Sequence, residues 1–98
     1  MTTSRTEDDA MLLLEGFYDL SGGKPNKPVP VGDQESTEAE AAAPKAGMDP
    51  GSISCEIAVR YLVDQGYIKA ADEPDQGPDT YTLTVPGIDK IKELRGTG

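Results

Sequence analysis

Apolar residues recur at helical spacing near both ends of the chain. From Asp9 to Leu20 an apolar side chain returns every three or four positions, which is the pattern of a helix that buries one face. Ser4 or Thr6 would cap this helix, and the glycine pair after Ser21 would end it. A shorter helix with the same spacing is predicted near the C-terminus. The two stripes comprise Met11, Leu13, Leu14, Phe17, Tyr18 and Leu20 in the first helix and Ile88, Ile91 and Leu94 in the last.

The longest apolar pattern predicts a central helix from Asp49 to Gln65. Asp49 would cap its first turn, and Pro50 at the first helical position would lose no hydrogen bond. Gly66 would end the helix by adopting a left-handed conformation. Apolar residues occupy most of its circumference, so we expect several neighbours or a partner to cover it. One side carries Cys55, Ala58, Val59 and Leu62, an adjoining side carries Ile53, Ile57 and Tyr61, and a narrow polar stripe carries Glu56, Arg60 and Asp64.

Alternation of apolar and polar residues after Gly66 predicts a β-hairpin. Its first strand begins at Tyr67 and Ile68, its turn falls within residues 72–79, and its second strand covers residues 80–85. Thr84 would also cap the last helix. We expect Tyr81, Leu83 and Val85 on one face of the second strand and Thr80, Thr82 and Thr84 on the other.

Two segments between the predicted helices have weaker patterns. Residues 21–35 are rich in proline and glycine, which predicts a surface loop, with a ligand for a proline-recognition domain as the alternative. Residues 33–46 are rich in alanine and predict a weak helix, capped by Ser36 or Thr37 and interrupted by Pro44. Its alanines would supply little apolar surface to bury.

Length and composition predict one small domain. The chain has 98 residues, 36% of them apolar, and we expect a single domain over residues 1–98 with flexible tails at 1–6 and 96–98. One cysteine allows no internal disulfide, which fits a reducing compartment. No apolar run approaches the roughly 20 residues that span a bilayer, and the first residues are charged. A cytoplasmic protein without a membrane segment is therefore expected.

The predicted order is helix, weak helix, turn, longer helix, two-stranded ribbon and helix. This order resembles the winged helix-turn-helix family of small bacterial and archaeal transcriptional regulators. Three stretches carry the resemblance: the turn at residues 46–49, the helix and strand at 58–68, and the exit from the second strand at 83–88. The resemblance implies an α+β fold with three helices, a two-stranded β-hairpin wing and a C-terminal helix.

The same resemblance implies a DNA-binding function in transcription regulation. The central helix would enter the major groove and the wing would approach the phosphate backbone. The residues that the resemblance assigns to contact with DNA, or with a partner in its place, are Ser52, Ser54, Glu56, Ile57, Arg60 and Tyr61 on the helix and Lys69 in the ribbon.

The net charge supports a second function within the same fold. Asp and Glu number 18 and Lys and Arg number 9, so the chain carries −9 at pH 7. Because DNA binding depends on neutralising phosphates, this balance favours a protein–protein interaction module as the alternative. Its partner would be a basic protein or a second copy in a homodimer. A positive patch at Lys24, Lys27, Arg60 and Lys69 would favour DNA, whereas an exposed apolar patch around Ile57 would favour a protein.

Chemistry-bearing residues are sparse. The chain has no histidine, no glycine-rich phosphate loop and no Cys/His cluster, so we predict no enzymatic activity, metal or cofactor. Cys55 is either a redox-sensitive thiol or, as its apolar neighbours favour, a buried side chain. Arg60 either contacts DNA or pairs with Glu56 or Asp64. The acidic residues 72–79 either bind a cation or form a solvated hairpin tip.

Overall fold

The computed structural model describes residues 2–33, 35–71 and 80–96. These residues form an α+β fold with four helices and three strands. The α+β class predicted from the sequence is therefore confirmed. In chain order the elements are α1 (Thr2–Ser21), β1 (Val29–Pro30), α2 (Ala42–Lys45), α3 (Ile53–Asp64), β2 (Ile68–Ala70), β3 (Thr80–Leu83) and α4 (Val85–Leu94).

The sheet has three antiparallel strands rather than the two that were predicted. Its order is β1-β3-β2, with Val29 opposite Tyr81 and Ile68 opposite Leu83. The additional strand, β1, lies inside the segment 21–35 that was predicted to be a loop. Pro30 is compatible with this strand because β1 is at the edge of the sheet, where a missing N–H leaves no hydrogen bond unmade. The predicted hairpin turn at 72–79 lies outside the described residues.

One apolar core joins the first helix, the third helix and the sheet. The predicted stripe of α1 faces inward, and Phe17 meets the ring of Tyr81 edge to face with centroids 6.3 Å apart. Burial is also confirmed for most of the predicted apolar side of α3, where Val59 is only half-buried, and for Ile88 and Ile91 of the stripe in α4. The prediction is wrong for Leu94, which is 47% exposed at the end of α4. The largest buried side chains are those of Leu13, Leu14, Phe17, Leu62, Ile68, Leu83 and Ile91.

The prediction of a weak helix over residues 33–46 is wrong in length and in packing. The helix is only the four-residue α2, its N-cap Ala41 offers no side-chain hydrogen bond, and the Ser36 hydroxyl bonds Asp33 instead. Pro44 falls in the first turn, where its missing N–H would have had no helical partner. The alanines at positions 41–43 are fully buried, so the segment contributes more to the core than its composition indicated.

Several helix ends differ from the predictions. Helix α1 already begins at Thr2, so both predicted caps lie within it. Helix α3 begins at Ile53, and its cap is Ser52, whose Oγ accepts from the Cys55 N–H at 3.1 Å. Asp49 is not the cap, because its carboxylate accepts from the Gly51 N–H and closes a turn ahead of the helix.

The exit from the sheet was predicted more closely. Gly66 has a φ of 78° and follows the end of α3, as expected. Thr84 caps α4 by accepting from the Gly87 N–H, and its hydroxyl donates to the Gly66 carbonyl. The prediction that Val85 extends the strand is wrong, since Val85 is the first residue of α4 and is exposed. No helix in the described part of the chain is long and apolar enough to cross a bilayer.

Candidate interaction surface on helix α3

Helix α3 turns one apolar face inward and another outward. Cys55, Ala58 and Leu62 are buried in the core, which fixes the rotation of the helix. Ile53 and Ile57, on the adjoining side, are 75% and 47% exposed. Tyr61 is half-buried and continues their line at the four-residue spacing of one helix face. We call Ile53, Ile57 and Tyr61 the apolar ridge.

A polar stripe runs beside the apolar ridge. Glu56, Arg60 and Asp64 are all exposed. Within the described residues no ion pair joins Arg60 to either acid, so the interpretation of Arg60 as a paired surface arginine is wrong. The stripe carries two acids and one base, and Arg60 is the sole cation in the sequence of α3.

The seven predicted contact residues lie in different environments. The Ser52 hydroxyl already bonds the Cys55 N–H and the Asp49 carbonyl, so its polar groups serve the helix start. Tyr61 is partly packed against the core, which leaves only part of its ring available. The remaining five are exposed: Ser54, Glu56, Ile57 and Arg60 on α3 and Lys69 on β2.

The exposed cations of the proposed positive patch lie on separate elements. Lys24 and Lys27 are in the connection between α1 and β1, Arg60 is on α3 and Lys69 is on β2. Arg95, in contrast, is engaged by two acids of α1. Its guanidinium donates to Asp19 at 2.8 Å and lies 3.5 Å from Glu15. The hydrogen bond to Asp19 is the main cause that raises the pKa of Arg95 above its ordinary value.

A groove opens on the other side of the polar stripe, between α3 and the first strand. Its volume is about 510 Å³. Val31, Val59, Val63 and Tyr81 supply apolar walls, and Glu56 and Arg60 also line it. This groove was not predicted from the sequence, since it depends on where β1 and the residues after it pack. The available signal was the pair of apolar residues Val59 and Val63 beside the charged stripe.

The structure bears on the remaining candidate chemistry. The Cys55 thiol is buried, which confirms its interpretation as a core side chain. Among the described residues no group of three or more His, Cys, Asp or Glu side chains could hold a metal ion. The acidic segment at 72–79 lies outside that part of the chain.

Comparison with known protein families, curated proteins and solved structures found no match to this chain.

Proposed function

We propose that this chain is a winged-helix-type module that binds another protein through the apolar ridge of α3. The observation that carries the proposal is the exposure of Ile53 and Ile57 on a helix whose opposite side is already buried. Burying a fully exposed isoleucine side chain contributes about 1.5–3 kcal/mol. Because Ile53 and Ile57 are 75% and 47% exposed, covering both would contribute about 2–4 kcal/mol to a binding free energy. Polar residues border the ridge, as at the rim of a protein interface.

The order of elements supports the winged-helix part of the proposal. Helices α2 and α3 follow one another, and the antiparallel pair β2 and β3 then leads into α4. The expected family order is the same, with β1 as an added edge strand. In this arrangement α3 is the helix that family members present to their target.

Charge favours a protein over DNA as that target. Phosphate binding draws on Lys and Arg, whereas the polar stripe of α3 offers one arginine against two acids. The net charge of −9 adds repulsion at longer range. In the major groove, the isoleucines of the apolar ridge would face base edges that are mostly hydrogen-bond donors and acceptors.

Photo-crosslinking in the cells of origin tests the proposed surface. A photoreactive amino acid replaces Ile57, and the matched control carries it at Leu94, which is also 47% exposed but lies on α4. We expect a covalent adduct with a defined protein from position 57 and none from position 94. In the protein without the photoreactive residue, Ile57→Asp should abolish binding of the protein identified by crosslinking, while leaving the circular dichroism and the melting temperature of the monomer unchanged.

Titration with mixed-sequence duplex DNA tests the competing function. At about 50 mM salt, where non-specific phosphate binding is strong, we expect no binding. Suppose instead that the protein binds DNA, that the affinity falls steeply with added salt and that Arg60→Ala weakens it. This result would contradict the protein-binding proposal and restore DNA as the target. Adducts to nucleic acid from position 57 would do the same.

A further inference from the structure

The groove beside α3 has the size and lining of a small-molecule site. Its volume of about 510 Å³ lies within the roughly 300–1,000 Å³ of ordinary ligand pockets. Val31 comes from the segment after β1, Val59 and Val63 come from α3, and Tyr81 comes from the central strand. The walls are thus held by three different elements of the fold, one of them the central strand of the sheet.

Two opposite charges line the same groove. Glu56 and Arg60 are four residues apart on α3, which places their Cβ atoms about 5–6 Å from each other. Neither side chain makes a hydrogen bond or ion pair with another described residue. Two backbone donors beside the groove are already used, because the Gly51 N–H bonds Asp49 and the Cys55 N–H bonds Ser52. Glu56 and Arg60 are the charged side chains among the residues that line the groove, so we assign the recognition of a charged ligand to them.

We propose that the groove binds a free α-amino acid with an aromatic or branched aliphatic side chain. Such a ligand carries an ammonium and a carboxylate on one carbon, next to an apolar body. Its carboxylate would bond Arg60, its ammonium would bond Glu56, and its side chain would lie among Val59, Val63 and Tyr81. This proposal does not rest on the partner proposed for the apolar ridge, although Glu56 and Arg60 line the groove and also border that ridge.

Charge complementarity selects the zwitterion over ligands with a single charge. A simple carboxylate would gain from Arg60 but would approach Glu56 and a chain with a net charge of −9. A simple amine would gain from Glu56 but would leave Arg60 beside its positive charge. A zwitterion satisfies both side chains and adds no net charge.

Three probes with the same phenyl group test this assignment: L-phenylalanine, 3-phenylpropanoate and phenethylamine. Each is titrated to about 10 mM into ¹⁵N-labelled protein, with amide shifts as the measurement. We expect L-phenylalanine to give saturable shifts at Val59, Val63 and Tyr81. Each singly charged analogue should bind about tenfold more weakly, since it loses one hydrogen bond between charged groups.

Variants of the two charged residues separate their roles. Arg60→Gln should reduce the affinity for L-phenylalanine about tenfold and should not weaken binding of phenethylamine. Glu56→Gln should reduce the affinity for L-phenylalanine and should not weaken binding of 3-phenylpropanoate. The control Asp64→Asn changes a charge on the same stripe that does not line the groove, and it should leave all three affinities unchanged.

Two results would overturn the proposal. Equal affinities for the three probes would mean that only the apolar walls act, with no recognition of the zwitterion. An absence of saturable shifts with L-phenylalanine would mean that the groove takes no amino acid of this class.

Discussion

Gly16 lies where α1 passes closest to α2. A Cβ atom at this position would lie 2.7 Å from the backbone oxygen of Ala42. Helix propensity alone would favour alanine over glycine by about 1 kcal/mol. Overpacking typically costs about 1–3 kcal/mol, and here the obstacle is backbone, which cannot rotate aside as a side chain can. The two effects leave a net cost, so we expect Gly16→Ala to lower the free energy of unfolding by up to about 2 kcal/mol, measured by urea denaturation.

A substitution to alanine at an exposed position of the same helix serves as the control. Glu7 is exposed on α1, and Glu7→Ala should change the free energy of unfolding by less than about 0.5 kcal/mol. A Gly16→Ala protein more stable than the original would show that α2 moves away freely, and that the close approach is not required.

The burial of a residue could be predicted from the sequence where apolar residues repeat at helical spacing. It could not be predicted where burial depends on a single contact with a residue distant in sequence. The spacing of Leu13, Leu14 and Phe17 indicates a buried face on its own, because helical period and burial are linked locally. The burial of Ala42 depends on Gly16, which is distant in sequence and carries no apolar side chain. Neither residue alone predicts their close packing.

At the scale of elements, Arg95 connects the end of α4 to α1. Its guanidinium bonds Asp19, lies near Glu15 and stacks 4.8 Å from the centre of the Tyr18 ring. The side chains of Arg95, Glu15 and Asp19 are more than a third exposed, so solvent screens the ion pairs and each contributes little. We expect Arg95→Met, which keeps most of the apolar stem, to lower the free energy of unfolding by about 0.5–1 kcal/mol.

Salt and pH distinguish an electrostatic contribution of Arg95 from a packing contribution. The difference between Arg95→Met and the original protein should shrink in about 500 mM NaCl, where the pairs are screened. The pKa of Arg95 is raised in the folded state, so its contribution is present below its unfolded pKa and is lost only as pH rises into the strongly alkaline range. The difference should therefore be the same at pH 7 and pH 9. A difference independent of salt would assign the effect to packing.

The ends of helices and strands could be predicted from the sequence where a local capping residue determines them. Thr84 and Gly66 act as predicted, because each needs only its neighbours in the chain. Strand β1 was missed, since Val29 and Pro30 become a strand only by pairing with β3. The groove was missed for the same reason, because its wall at Val31 follows that strand. The exposed ridge, in contrast, follows from the wide apolar circumference of α3, which the sequence already indicated.

For the whole molecule, net charge opposes the compact state. The chain carries 18 acids against nine bases, and the fold has a radius of gyration of 12.2 Å, so at low salt its charges repel one another overall. Salt has two opposing effects on the stability of such a protein. It weakens the attraction between Arg95 and its acids, and it screens the general repulsion. We expect the screening of repulsion to have the larger effect on stability, because repulsion acts over the whole surface whereas the ion pairs of Arg95 involve only Asp19 and Glu15.

The melting temperature should therefore rise with NaCl at pH 7. We expect a gain of several degrees between about 20 mM and 300 mM NaCl, over which the Debye length falls from roughly 20 Å to 6 Å. Arg95→Met should show a larger gain, because it has lost the attraction that salt weakens. Glucose at matched osmolality provides a control for solute exclusion, which does not screen charge. A melting temperature that falls with NaCl would mean that specific ion pairs outweigh the net repulsion, and that the acids are placed more favourably than their number indicates.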